Sequence, residues 1–160
     1  MKRKALTQQL LIADTTPMHA FGLKILFGGS VLPGSLELAS CNIELNDRLE
    51  HRAPHLLILD PAFVQKDLDL GNTDSLVEFR NRFPALPLLL YTTVTDPVVL
   101  DAMTSITGIG IASKTDEMPD LIHVFESLFN RNCPVVSPKI SELIRAADRF
   151  RQILPDSVIY

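Results

Sequence analysis

Short apolar runs alternate along this chain with longer amphipathic stretches. Five of the runs predict buried strands, at residues 10–13, 36–39, 56–59, 86–91 and 109–113. The stretches between them have apolar residues at a spacing of three or four, which is typical of helices. The alternation therefore predicts an α/β fold: a doubly wound, five-stranded parallel sheet with helices on both faces and the flavodoxin-like strand order 2-1-3-4-5.

Two of the helices have clear sequence starts, because Thr16-Pro17 and Asp96-Pro97 each place a capping side chain before a proline at the first helical position. Helical spacing predicts which residues face the core. These are Met18, Phe21, Ile25 and Leu26 in the first helix, Ile43, Leu45 and Leu49 in the second, Leu76, Val77, Phe79 and Phe83 in the third, and Leu121, Val124, Phe125 and Leu128 in the fifth. The acidic connection at 64–72 is predicted to be a solvated loop.

A further helix is predicted from Ser137-Pro138 onwards, after the sheet is complete. We divide the chain into an α/β domain at 8–131 and a linker with an amphipathic C-terminal helix at 132–160. The apolar stripe of this C-terminal helix consists of Ile140, Leu143, Ile144, Ala147, Phe150 and Leu154. This helix either lies on the domain, pairs with another chain or leads into a further segment.

Composition excludes several classes of function. The chain has 160 residues with 46% hydrophobic and 21% charged, as in one soluble globular domain. A net charge of −4 gives no electrostatic reason for it to grip nucleic acid, and no apolar run is long enough to span a membrane. Cys41 and Cys133 lack metal-ligand spacing, which indicates reduced thiols in a cytoplasmic protein.

Reactive side chains follow four of the predicted strands: Asp14, Asp60, Thr92 and Lys114. Because ligands bind at the carboxyl ends of parallel strands, we expect these four side chains to share one edge of the sheet. Each also has a simpler interpretation. Asp60 could cap a turn, Asp14 could form an Asx-turn into the first helix, and Thr92 could be β-branched strand filler. A lone lysine ending a buried strand needs an anionic partner.

Residues 8–130 resemble the receiver domain of bacterial two-component response regulators, within the NarL/LuxR class and nearest to the Rcs phosphorelay regulator; the implied fold is CheY-like. The resemblance rests on Leu11-Ile12-Ala13-Asp14 leading into Thr16-Pro17 and on the three later positions. It implies that Asp60 is the phosphoacceptor, Thr92 the switch hydroxyl and Lys114 the charge-neutralising lysine. Asp14 and Asp60 would form a weak Mg²⁺ site, with no other cofactor.

Two residues depart from the family pattern. Thr15 occupies the position of the second acid, which normally touches the metal, and a hydroxyl holds Mg²⁺ far less well than a carboxylate. Pro61 follows the phosphoacceptor and has no N–H with which to hold a phosphoryl oxygen. The sequence therefore favours a degenerate pocket.

Our leading hypothesis is a non-enzymatic, atypical receiver that controls transcription through protein contacts, as a homodimer or as a heterodimer with another regulator. DNA would be reached only through a missing output domain or a partner. One alternative is an active receiver that accepts phosphate on Asp60 from a histidine kinase or a phosphotransfer protein. Another is a flavodoxin-like binder of a small ligand.

Overall fold

The computed structural model describes residues 8–28, 34–64, 73–130 and 134–153, where strands and helices alternate. The strands are β1 (Gln8–Ala13), β2 (Gly34–Ala39), β3 (Leu56–Leu59), β4 (Leu88–Thr92), β5 (Ile109–Ser113) and β6 (Val135–Val136). The helices are α1 (Pro17–Gly28), α2 (Asn42–His51), α3 (Pro61–Val64), α4 (Asp74–Arg82), α5 (Pro97–Thr104), α6 (Met118–Phe129) and α7 (Pro138–Ile153). Val64, the first residue of the predicted loop at 64–72, is instead the last residue of α3. The rest of that loop and Cys133 lie outside the described residues.

All the described strands run parallel in one sheet of order β2-β1-β3-β4-β5-β6. The predicted order 2-1-3-4-5 is thus confirmed, but the predicted number of strands is wrong. The additional strand β6 pairs with β5 through Gly110↔Val135 and Ile111↔Val136. A strand of two residues is too short to show periodicity, so the apolar pattern gave no sign of it.

The sheet is covered on both faces, as predicted for a doubly wound fold. On one face, α1 contributes Leu23 and α6 contributes Leu121, Val124, Phe125 and Leu128 to a cluster of buried residues. On the other face the core contains buried residues of α2, α3, α4, α5 and α7. Strands β3, β4 and β5 are buried along their whole length, which explains their uninterrupted apolar runs.

The predicted inward face of α1 is wrong. Met18, Phe21 and Ile25 are 79%, 61% and 64% exposed, whereas Leu23, on the opposite side of the helix, is 4% exposed. The side chain of Leu26, the fourth residue of the predicted face, lies outside the described residues. Ile43 in α2 and Val77 in α4 are exposed as well. Apolar spacing identifies the buried side of a helix only when the opposite side is polar, and α1 is apolar on both.

Helix α7 lies on the domain, the first of the three predicted placements. Ile140 is fully buried in the core, and the side chains of Leu143 and Ile144 pack against the same cluster. The backbone N–H of Ser137 donates to the carbonyl of Ile111, 2.9 Å away, which fixes the start of the helix against β5. Phe150, further along the predicted stripe, is 70% exposed, so only the first half of α7 is packed. Within the described residues, no helix combines the length and apolar character needed to cross a bilayer.

Candidate functional site

The carboxyl ends of β1, β3 and β5 bring Asp14, Asp60 and Lys114 into direct contact. Asp60 directly follows β3, and its backbone N–H donates to the carbonyl of Ala13 at the end of β1, 2.8 Å away. Lys114 directly follows β5, and its N–H donates to the carbonyl of Thr92 at the end of β4, also 2.8 Å away. The pairing of neighbouring parallel strands therefore gathers all four predicted site residues at one edge of the sheet.

The Lys114 ammonium joins the two carboxylates, and we call this group of three residues the clasp. Its Nζ lies 2.8 Å from Oδ2 of Asp60 and 2.8 Å from both oxygens of Asp14. Only 2% of the Lys114 side chain, 2% of Asp14 and 12% of Asp60 are exposed. The Oδ2 atom of Asp14 accepts no hydrogen bond, because its geometry with the ammonium is unfavourable. Its contact with Lys114 is therefore only an electrostatic attraction. Two carboxylates and one ammonium leave the clasp with one net negative charge.

Both oxygens of Asp60 already accept other donors. The Thr15 hydroxyl donates to Oδ2 at 3.1 Å, and the backbone N–H of Ala62 donates to Oδ1 at 3.0 Å. Pro61 is the first residue of α3, where its missing N–H costs the short helix nothing. The backbone amide of Ala62 therefore donates to Asp60, whereas Pro61 has no N–H to donate. Sequence reasoning treated Thr15 only as a lost metal ligand and did not predict that it donates to Asp60.

The simpler interpretations of Asp14 and Thr92 are also satisfied. Asp14 Oδ1 accepts the backbone N–H of Thr16 at 2.7 Å, which forms an Asx-turn into α1. Thr92 is 1% exposed, and its hydroxyl accepts the N–H of Val94 at 3.0 Å rather than contacting the clasp. Local turn geometry therefore explains in part why the sequence has an aspartate at position 14 and a threonine at position 92.

A cleft of about 500 Å³ opens over the clasp. Its wall carries five threonines, namely Thr15, Thr16, Thr92, Thr93 and Thr95. Asp96 also lines the cleft. Its carboxylate accepts the N–H of Val98 at 2.9 Å and caps α5, as predicted. Sequence reasoning missed Thr93 and Thr95 as cleft residues, although their position just after β4 was a signal.

Tyr91 is buried in β4 beside the clasp, with its ring centroid 5.9 Å from the Lys114 ammonium. Burial raises the pKa of its phenol, and the negative charges of Asp14 and Asp116 raise it further. Tyr91 is therefore neutral at physiological pH, and its ring lies beside the Lys114 ammonium of the clasp.

The receiver resemblance implies a Mg²⁺ ion, and the residues present do not fit one. Mg²⁺ requires near-octahedral oxygen coordination, with its carboxylate oxygens free to approach the metal. Here the two candidate carboxylates are held by the Lys114 ammonium, and Thr15 replaces the second acid of the family pattern. In the described part of the chain, no group of three or more His, Cys, Asp or Glu side chains is arranged to hold a metal.

No family model and no curated protein sequence matches the chain. Solved structures do match. The RcsB response regulator of Salmonella typhimurium aligns with a TM-score of 0.73 and 21% identity, over 89% of this chain and 67% of that one. The isolated receiver domain of RcsB from Salmonella enterica serovar Typhimurium aligns with a TM-score of 0.71 and 21% identity, over 86% of this chain and 99% of that one.

The fold is that of a receiver domain. An RcsB–DNA complex aligns in the same way, with a TM-score of 0.72 and 22% identity, over 94% of this chain and 72% of that one. Because the isolated domain is matched over nearly its whole length, the likeness covers the complete receiver unit. At these identities it establishes the arrangement of strands and helices, and the chemistry has to be argued from this chain's own residues.

Proposed function

We propose that this chain is an atypical receiver of a cytoplasmic response regulator, which acts through protein contacts with little or no dependence on phosphorylation. The observation that carries the proposal is the clasp: one buried ammonium lies 2.8 Å from both carboxylates of the pocket. The receiver fold supports the regulatory role, and the occupied pocket supports independence from phosphate.

The chemistry of phosphoryl transfer explains why the clasp matters. Asp60 would have to attack phosphorus while positive charges neutralise the phosphoryl oxygens. In this chain Oδ2 of Asp60 already holds Lys114 and Thr15, and Oδ1 holds Ala62. Pro61 removes one oxyanion donor, a loss on the order of 3 kcal/mol of transition-state stabilisation, or about a hundredfold in rate.

The partners follow from the same resemblance. One matched structure contains two RcsB dimers bound to two parallel DNAs, and for this chain we propose a homodimer, with a heterodimer with another regulator as the alternative. DNA would be reached through an output segment outside 8–153 or through the partner. The described residues resemble only the receiver part.

Incubation with acetyl phosphate and Mg²⁺, followed by mass spectrometry of the intact protein, tests the proposal. We expect no phosphoryl adduct under conditions that fully modify the isolated RcsB receiver domain. An adduct that disappears in Asp60→Asn would instead establish the alternative, an active receiver served by a histidine kinase or phosphotransfer protein. Asp148→Asn is a suitable control, since this carboxylate is 62% exposed on α7 and does not line the cleft.

The cleft supports a second candidate, a receptor for a small ligand. Its volume of about 500 Å³ lies within the range of about 300–1,000 Å³ that is usual for ligand pockets. Its threonine hydroxyls would hydrogen-bond a polar, uncharged molecule better than an anion, because the clasp is already negative. Mass spectrometry of the small molecules released on denaturation would detect such a ligand, and an empty protein would count against this candidate.

A further inference from the structure

Strand β6 is one edge of the sheet, and its outer side has no partner strand among the described residues. The backbone N–H of Ser137 donates to the carbonyl of Ile111 in β5. Because backbone groups alternate in direction along a strand, the N–H and C=O of Val136 point the opposite way, towards the open edge. The outer side of β6 therefore presents a donor and an acceptor with which an added strand can pair.

A groove of about 570 Å³ lies at this open edge, between α6 and α7, and we call it the edge groove. Its wall contains Val136 of β6, His123 of α6, and Arg145 and Arg149 of α7. The side chain of Val136 packs against the same core cluster as α7, whereas Val135 packs against the cluster under α6. A strand added beside β6 would therefore direct every second side chain towards α7.

Two guanidinium groups make the α7 side of the edge groove positive. Arg145 and Arg149 are both exposed, and neither forms a salt bridge with a described residue. Asp148, on the same helix, pairs with Arg151 instead. Glu142 is the one acid among the described residues of the groove wall, and the two arginines outweigh it. In a chain of net charge −4, such a local excess of positive charge selects an acidic partner.

We propose that the edge groove is a docking site for an extended, acidic segment of a partner protein, which adds to the sheet beside β6. The spacing is compatible with this: Arg145 and Arg149 are about 6 Å apart along α7, and alternate residues of a strand are about 6.7 Å apart. The favoured segment therefore has two acidic residues separated by one residue, with both acids facing α7. This inference rests on the proposed action through protein contacts and names the chemistry of the partner.

An acidic peptide fits the edge groove better than a nucleic acid does. Duplex DNA is held by several phosphate contacts at once, and the groove offers two guanidinium groups with the Glu142 carboxylate beside them. A phosphate backbone would also leave the outward N–H and C=O of Val136 unused. A peptide strand uses both features, because its main chain pairs with β6 while its carboxylates bind the arginines.

Fluorescence anisotropy with the full chain and a labelled peptide, Thr-Val-Glu-Thr-Glu-Val-Thr, tests the charge. We expect saturable binding, and a peptide with glutamine at both glutamate positions should bind at least about tenfold more weakly. Replacing both groove arginines, in Arg145→Ala/Arg149→Ala, should raise the Kd by at least about tenfold as well. Arg151→Ala is the matched control, since this exposed arginine of α7 does not line the groove. Circular dichroism should show the same thermal transition for all these proteins, because the replaced side chains are exposed.

Two changes of the peptide separate strand pairing from charge alone. N-methylation of both glutamates keeps their charge but removes the N–H groups that face β6, and should weaken binding about tenfold. N-methylation of the central threonine, whose N–H points away from β6, should leave the Kd unchanged. In Arg145→Glu/Arg149→Glu, the preference should reverse to the peptide with lysine at both glutamate positions.

Three results would overturn the proposal: no saturable binding, equal binding of the peptide N-methylated at both glutamates, or displacement of the peptide by random-sequence duplex DNA. The last would identify a general anion surface. None of them bears on the acetyl phosphate measurement, so the proposed receiver function would stand or fall separately.

Discussion

The charge balance of the clasp makes Lys114 the most informative residue to change. Substitution of Lys114 by Met keeps the length and apolar stem of the side chain and removes its charge. Asp14 and Asp60, whose side chains are 2% and 12% exposed, would then be left as two buried carboxylates without a counter-ion. Breaking a buried ion pair in this way is far more damaging than removing both partners together.

The expected loss is about 3–5 kcal/mol of unfolding free energy, the range for removing one partner of a buried pair. For a chain of 160 residues this corresponds to a fall in Tm of roughly 6–20 °C. Arg48 provides the matched control, because it also joins two carboxylates, Glu37 at 2.5 Å and Glu44 at 2.6 Å, but its side chain is 31% exposed. Arg48→Met should lower Tm far less, since water screens exposed pairs.

Urea denaturation followed by circular dichroism measures both variants. Adding Asp14→Asn and Asp60→Asn to Lys114→Met should restore most of the lost stability, because the remaining amides are neutral. A loss below about 1 kcal/mol for Lys114→Met alone, the value of an exposed pair, would refute the buried clasp. The buried clasp would also be refuted if the variant with all three substitutions were less stable than Lys114→Met alone.

Three further predictions follow from individual residues. Thr15→Asp combined with Lys114→Met should supply the missing acid, free the two carboxylates and give Mg²⁺ binding that isothermal titration calorimetry can detect, whereas Thr16→Asp combined with Lys114→Met should not. Gly108 has a φ of 70°, and a Cβ there would lie 2.8 Å from the Arg80 guanidinium; Gly108→Ala should therefore cost at least about 1 kcal/mol in urea denaturation. Because the folded-state pKa of Tyr91 is raised, its contribution to stability is complete below the ordinary tyrosine pKa of about 10 and is lost as the pH rises through the folded value. Phenolate absorbance should show this late titration, and Tyr91→Phe should abolish it.

The order of the sheet could be predicted because five strands alternate with helices along the chain, and the doubly wound order 2-1-3-4-5 suits five such units. The C-terminal edge could be predicted for the same reason: parallel strands place Asp14, Asp60 and Lys114 together whatever their side-chain conformations. Strand β6 could not be predicted, since Val135 and Val136 become a strand only when β5 lies beside them.

Two other features depend on tertiary packing. Spacing alone predicts a buried face containing Met18, Phe21 and Ile25, but the sheet packs against Leu23 on the opposite side. The clasp itself is set by side-chain rotamers and burial, so the sequence could predict that Lys114 would need an anion without predicting that it would hold both carboxylates.

The central claim is that this pocket does not take up a phosphoryl group, and a titration with beryllium fluoride in the presence of Mg²⁺ tests it most directly. Isothermal titration calorimetry should show no saturable heat at concentrations that saturate the isolated RcsB receiver domain, which was solved with this phosphomimetic. Saturable one-to-one binding that Asp60→Asn abolishes would contradict the account and establish Asp60 as a working phosphoacceptor.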